Sequence, residues 1–240
     1  MLANDRTLLL LWDIDHTLIE SRGMGRTIYE RIFPKATGHH LRQLATVHGR
    51  TELDIIHDTL EHHDIEPTEQ AINDVAAALA DGYRAATDEL AQQGRVLPGA
   101  LEALEAFAAD PGLHQSVLTG NTTAVARTKI EAFGLEPYLD LAIGAYGDDH
   151  RERAELVTIA RARAEQHRGT TLPIGNVVIV GDTPSDIEAA LTAGAQSIAV
   201  ASGKYSTDDL RSAGASTVLV ALNQAVVHQA LKRMRTSASA

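Results

Sequence analysis

Two carboxylates one residue apart close an apolar run: Leu8-Leu9-Leu10-Leu11-Trp12 gives way to Asp13-Ile14-Asp15-His16-Thr17-Leu18. Such a pair can do two jobs on one substrate. One carboxylate can attack an electrophile and become covalently modified, while the other gives and takes a proton. An unbroken apolar run of strand length predicts a strand buried on both faces of a parallel sheet. Ligands of such sheets bind beyond the carboxyl ends of the strands. Extended backbone would send the side chains of Asp13 and Asp15 the same way. Taken alone, the pair reads equally as the polar end of a strand.

Two further strand ends carry candidate chemistry. Leu118-Thr119-Gly120-Asn121-Thr122 ends a strand and opens a helix, an arrangement that offers backbone N–H groups and a hydroxyl to an anion. Gly120 would let the backbone approach closely, although Thr-Gly-Asn by itself is also a plain turn. Val178-Ile179-Val180-Gly181-Asp182-Thr183-Pro184-Ser185-Asp186 supplies two more acids. Mg²⁺ takes hard oxygen ligands, and Asp13 with Asp182 are the natural carboxylates for it. Asp186, one helical turn on, would act through water or orient the site. The other reading of Asp182 and Asp186 is helix capping, with Pro184 near a helix start and Ser185 as the cap.

The three motifs, in this order and each behind an apolar strand, resemble the haloacid dehalogenase superfamily and within it the phosphatase-like members that carry a helical cap. The resemblance implies that Asp13 is the nucleophile of a phosphoryl transfer and Asp15 the acid and base, with a backbone carbonyl for the metal. It implies phosphate binding by Thr119, Gly120 and Asn121, a Mg²⁺ cofactor held by Asp13, Asp15 and Asp182, and a small phosphorylated metabolite as substrate. Dehalogenases proper lack the second Asp of the first motif, so Asp15 favours phosphate over halide. Relatives place a lysine at the start of the helix before the last acidic motif, where this chain has Arg151-Glu152-Arg153-Ala154-Glu155-Leu156. An arginine can do the same electrostatic work with a forked donor. Arg153, three residues before Leu156, is the preferred phosphate-binding cation; both arginines also read as helix-surface ion-pair partners, and Lys204 is a more distant substitute. His48-Gly49-Arg50-Thr51 resembles the specificity loop of helical caps, so Arg50 could reach a second anionic or hydroxyl group of the substrate, or be a surface arginine. His16 stands where relatives commonly carry glycine.

The elements that must position these residues alternate. After the first strand, Arg26 to Phe33 reads as a helix stopped by Pro34. From Leu41 to about Gln93 the pattern is helical throughout, with Leu53, Ile56, Leu60 and then Ile72, Val75, Leu79 at helical spacing. Strands are then expected at 115–118, 139–143, 176–180, 197–200 and 217–220, and helices from 99 to 108, 122 to 133, 152 to 166, 185 to 193 and 222 to 234. Strands alternating with helices predict an α/β, doubly wound, Rossmann-like parallel sheet. The all-helical stretch predicts an inserted cap domain, 20–95, between core segments 1–19 and 96–240.

Composition bounds the rest. The chain has 240 residues, 44% hydrophobic and 22% charged, as in an ordinary globular protein. Zero cysteines exclude a disulfide framework, a thiolate metal site and a thiol nucleophile. A net charge of -11 argues against a nucleic-acid partner, which needs a basic face. The apolar stretches fall short of the roughly 18 residues of a spanning helix, and residues 1–7 leave no room for a signal peptide, so a membrane partner is not expected and a cytoplasmic location is the default. The histidine pairs His39-His40 and His62-His63 are expected to be solvated, and 237–240 to fray. The composite expectation is a Mg²⁺-dependent phosphomonoester hydrolase. A phosphomutase of the same superfamily and a non-catalytic binding protein are the alternatives; a carbon–phosphorus hydrolase is disfavoured because the cap offers no lysine for an imine. Substrate identity and oligomeric state are not legible.

Overall fold

Strand β1, Leu8–Trp12, lies inside the sheet with all five side chains buried. The computed structural model describes residues 7–215 and 217–237. Of the segments discussed above, residues 1–6 and 238–240 lie outside the described residues.

The chain leaves β1 through β2 (Ile19–Glu20), then forms helices α1 (Met24–Thr37), α2 (Glu52–Glu61), α3 (Glu69–Ala85) and α4 (Thr87–Gln93) before returning through β3 (Arg95–Val96). It continues as α5 (Ala100–Ala108), β4 (Leu113–Val117), α6 (Thr123–Ala132), α7 (Arg153–Arg168) and β5 (Val177–Gly181). The last part is α8 (Pro184–Ala193), β6 (Gln196–Val200), α9 (Thr207–Ser212), β7 (Thr217–Leu219) and α10 (Gln224–Ser237). Five parallel strands form one sheet in the order β4-β1-β5-β6-β7. Pleating divides β1 between two layers. Leu8, Leu10 and Trp12 join a core with Leu104 and Phe107 of α5 and Leu231 of α10. Leu9 and Leu11 join one with Leu156 of α7 and Ala190 of α8. The architecture is a doubly wound α/β sheet with an inserted helical cap, and the strand order reverses about β1, where a ligand crevice is expected.

Helices α1 to α4 bury a second core, including Ile28, Phe33, Ile56, Leu60 and Leu79, which Val125 of α6 joins. Both chain crossings into this block lie side by side, because β2 and β3 pair antiparallel. No helix among the described residues is long and apolar enough to cross a membrane.

Five local expectations are corrected. Pro34 does not stop α1: it lies inside a helix that runs to Thr37 and ends at Gly38. Proline removes one intrahelical bond, and burial of Ile32 and Phe33 on the helical core offsets it. The segment 41–51 is not helical, because side chains of the neighbouring helix take its N–H groups: Arg42 N donates to His63 Nε2 (2.7 Å) and Ala45 N to Thr59 Oγ1 (3.2 Å). That also makes His63 a buried histidine and not a solvated one. Residues 139–143 form a turn beside β4, tied by Asp140 N to Gln115 O and by Ala145 N to Val117 O, and not a strand of the sheet. The cap of α8 is Thr183, not Ser185: Asp186 N donates to Thr183 Oγ1, and Asp186 Oδ2 accepts from Thr183 N and Oγ1.

Candidate active site

At the end of β1, Asp13 N still donates to Val180 O of β5 (2.9 Å), and then the chain turns sharply. Ile14 O accepts from Leu18 N and Ile19 N, and His16 takes a left-handed φ of 59°. The turn leaves Asp13 and Asp15 on one cavity, together with Thr119, Gly120, Asn121, Arg153 and Asp182. Thus the ends of β1, β4 and β5 and the start of α7 converge.

Arg153, the first residue of α7, reaches into the site. Its Nη2 donates to Asp13 Oδ1 (3.0 Å), and Nε and Nη2 donate to Asp186 Oδ1 (3.0 and 2.5 Å). Burial, Asp186 and Asp13 act on this guanidinium; burial opposes its charge and the two carboxylates more than restore it. Asp13 is driven the other way: burial raises its pKa, Arg153 lowers it, and Asp186 and Asp15 raise it again, leaving it well above the carboxylate range.

Asp182, at the end of β5, is 1% exposed. It accepts from Thr17 Oγ1 at 3.5 Å and has no cationic partner among the described residues. Burial, then Asp13 and Asp186, push its pKa up. Oxygens of Asp13, Asp182 and Asp186 lie within 4.8 Å of one another. Asp186 has both oxygens occupied, by Arg153 and by Thr183. A buried carboxylate without a counter-charge is costly, and an all-oxygen donor set suits a hard divalent cation. Asp13 and Asp182 therefore fit such an ion, with Asp186 acting on it through its neighbours.

Asp15 has a different partner, one that sequence reasoning missed. Lys129 Nζ donates to both of its oxygens (2.8 and 2.7 Å) and to Asn121 Oδ1 (2.8 Å). Asn121 Nδ2 donates to Asp15 Oδ2 (2.8 Å) and to Thr119 Oγ1 (2.8 Å). Burial pushes the Asp15 carboxyl up, but Lys129 and Asn121 together hold it below its ordinary value. Burial lowers Lys129 and the charge of Asp15 more than reverses this. The sequence did carry a signal: Lys129 follows Val125 by four residues on the buried face of α6, a lone cation in an apolar stripe.

The other candidates divide. Gly120 is needed, because a Cβ there would lie 2.1 Å from Arg50 O; its own carbonyl accepts from Glu52 N (2.7 Å). Thr119 faces the cavity, while the amide of Asn121 is committed to Asp15, Thr119 and Lys129. Arg50 lines the cavity with its guanidinium bonded to Asp58 Oδ2 (2.6 Å) and Asp54 O (3.2 Å). Arg151 points to α2 instead, its Nε donating to Asp54 Oδ1 (2.7 Å). Lys204 is exposed, with Nζ 5.8 Å from the Tyr205 ring centroid. His16 faces His48 with ring centroids 6.0 Å apart.

Sequence and fold have known counterparts. The family profile described as haloacid dehalogenase-like hydrolase matches residues 10–191. Probable phosphatase IndB of Dickeya dadantii (strain 3937) is 32% identical over 142 residues, 58% of this chain and 59% of that protein, so the match spans less than two thirds of the relative. CbbY from Rhodobacter sphaeroides, in complex with phosphate, has TM-score 0.69 at 20% identity, covering 90% of this chain and 94% of that one. A hydrolase from Pseudomonas syringae has TM-score 0.68 at 20% identity, covering 95% and 99%.

Proposed function

Because the chain belongs to the haloacid dehalogenase-like hydrolases, we propose that it is a Mg²⁺-dependent phosphatase of a small phosphorylated metabolite, with Asp13 as nucleophile and residues 20–95 as a cap. The observation that carries this reading is the pair of carboxylates at the end of β1, each bonded to its own buried cation, Arg153 for Asp13 and Lys129 for Asp15.

Asp13 Oδ attacks phosphorus while the bond to the ester oxygen breaks. Arg153, fixed by Asp186, holds Asp13 in place and balances the charge that gathers on the phosphoryl oxygens. The proton that the departing alkoxide needs is held on the Lys129–Asp15 pair, with Asp15 as the group facing the cavity. Water then attacks the phosphoryl group on Asp13, and Asp15 accepts the proton that this water loses. Thr119 offers a hydroxyl to the phosphate. Mg²⁺ would be held by Asp13, Asp182 and the backbone carbonyl of Asp15, and would neutralise charge on the phosphate oxygens. The cap loop lies against this end, since Glu52 N donates to Gly120 O across the boundary.

The test is inorganic phosphate release from a panel of small phosphomonoesters in Mg²⁺. Turnover by the wild type, lost in EDTA and in Asp13→Asn, is expected. Undiminished release by Asp13→Asn sinks the mechanism.

A further inference from the structure

The cavity that holds the two carboxylates has a volume of about 400 Å³, far more than a phosphate fills. What lies beyond the phosphate end is made by the cap and by the turn after β1. Leu44, Val47 and Ile55 give an apolar wall, Tyr29 and Tyr83 give two rings, and His16 and His48 face each other near the mouth. From these surroundings we infer that the substrate's leaving group carries no second anionic group: it is a neutral, hydroxyl-bearing group with an apolar face. This rests on the phosphatase reading above and names the class of monoester that the same site takes.

The first argument is charge. A second carboxylate or phosphate on the leaving group would need a cation, and every lining cation already has a carboxylate. Arg153 and Lys129 are held by Asp13, Asp186 and Asp15 at the phosphate end. Arg50, the cap residue in the place to meet a distal anion, is bonded to Asp58 at 2.6 Å, with Asp54 Oδ2 at 3.9 Å. Arg22 and Arg26 stand at the rim, half or more exposed, beside Glu20 (3.8 Å) and Glu30 (2.9 Å), where solvent screens them. Burial, with His16 and Lys204 nearby, disfavours a charge on His48.

The second argument is Glu52. This carboxylate lines the cavity, is 7% exposed and accepts from the hydroxyl of Tyr29. Burial pushes its pKa up while the Tyr29 hydroxyl and Lys129 oppose that rise. On the cavity wall it offers an entering anion an acceptor and no cation, and acceptors set against an anion suppress the wrong partner. It is also a strong acceptor for a hydroxyl of the substrate. Neutral groups with a flat apolar face and ring hydroxyls suit such a wall; glycolate, glycerate and a second phosphate do not. The same reasoning weighs against a mutase, which must hold a bisphosphate in this space.

The experiment compares kcat/KM for glucose 6-phosphate and uridine 5′-monophosphate with that for 2-phosphoglycolate, 3-phosphoglycerate and fructose 1,6-bisphosphate. p-Nitrophenyl phosphate serves as the control for phosphatase activity. At least one of the neutral monoesters should exceed all three anionic ones by about tenfold or more, and the better of the two tells a sugar from a nucleoside. Asp58→Ala, which removes the 2.6 Å partner of Arg50 and leaves it only Asp54, should narrow the gap by raising turnover of 2-phosphoglycolate. Turnover of any anionic substrate equal to or above the neutral ones overturns the inference. If p-nitrophenyl phosphate and every ester stay intact, the phosphatase reading itself has failed. Calorimetric binding of the same compounds to Asp13→Asn then still ranks them, and tighter binding of an anionic compound overturns the inference separately.

Discussion

Asp13 and Asp15 are two residues apart, yet each meets a different cation from a different helix. Arg153 opens α7 and bonds Asp13 and Asp186, whereas Lys129 sits in the second turn of α6 and bonds Asp15 alone among the carboxylates. On the Asp13 side three buried carboxylates lie together and one guanidinium bonds two of them, Asp13 and Asp186. On the Asp15 side one carboxylate matches one ammonium. The uncompensated negative charge of the site is thus confined to one half, the half where a divalent ion and a phosphoryl group would be accommodated. The neutral half is left for handling a proton. Environment, not residue type, separates the two roles.

The largest effects should come from the charged half. Asp13→Asn is expected to abolish phosphate release while the fold survives, because the amide is isosteric. Arg153→Ala should lose about 10²-fold or more in kcat/KM, the scale of a lost donor to a developing anion. Arg153→Lys should recover part of it, since the charge returns without the fork. A loss at Arg153 no greater than at Arg151 would break the comparison at its root.

The neutral half should show itself through the leaving group. Lys129→Met keeps the length and apolar stem of the side chain but removes the partner of Asp15. Turnover of alkyl phosphates should fall by a large part of the ~10²–10⁴-fold that general acid catalysis supplies. Release of p-nitrophenol in the first turnover should change little, because that leaving group needs no proton. If both substrates fall together, Lys129 is only structural; Asp15→Asn is expected to show the same split.

Removing the metal sharpens the contrast. Asp182 is driven above the carboxylate range by burial and by Asp13 and Asp186, so its neutral form is the one the metal-free fold prefers. A raised carboxyl pKa means that stability falls as pH rises above the unfolded value. Asp182→Asn fixes the neutral form. The metal-free protein should therefore gain about 1 kcal/mol or more at neutral pH, seen as a rise in Tm of about 2–4 °C. Below the unfolded carboxyl pKa the gain should vanish. Mg²⁺ should raise the Tm of the wild type and not of the variant; an equal Mg²⁺ response in both would remove Asp182 from the metal site.

Much of this was legible in the chain. The unbroken run Leu8–Trp12 told of a doubly covered strand, and acids and small polar residues at three strand ends marked where those strands stop. Arg153 could be preferred over Arg151 from its place at the helix start, and the two do point to different partners, Asp13 and Asp54. What was not legible depends on tertiary partners. Lys129 is separated from Asp15 by 114 positions, and no local pattern joins them. The loop 41–51 has helical composition, but Thr59 and His63 take its N–H groups. Likewise nothing in the sequence ties Arg50 to Asp58; it is the folding of the cap loop against α2 that pairs this cavity-lining cation with a carboxylate.

The smallest effect should lie outside both halves, at the clasp between core and cap. Arg151, 56% exposed, bonds Asp54 of α2, so it joins the start of α7 to the helical block without touching the cavity. An exposed pair of this kind contributes about 0–1 kcal/mol, which sets a ceiling of about fivefold on what its loss can do to cap docking. Arg151→Ala should therefore raise KM by a few-fold at most and leave kcat within about twofold. The effect should shrink further in high salt, where exposed charges are screened. Asp54→Asn removes this contact and also weakens the 3.9 Å approach of Arg50 to Asp54, so the double variant should be no worse than Asp54→Asn alone. The reference is Arg153→Ala, whose buried pair should be insensitive to salt. A loss at Arg151 that approaches the loss at Arg153, or one that persists in high salt, would mean that the cation balancing the phosphoryl group is shared between the two arginines.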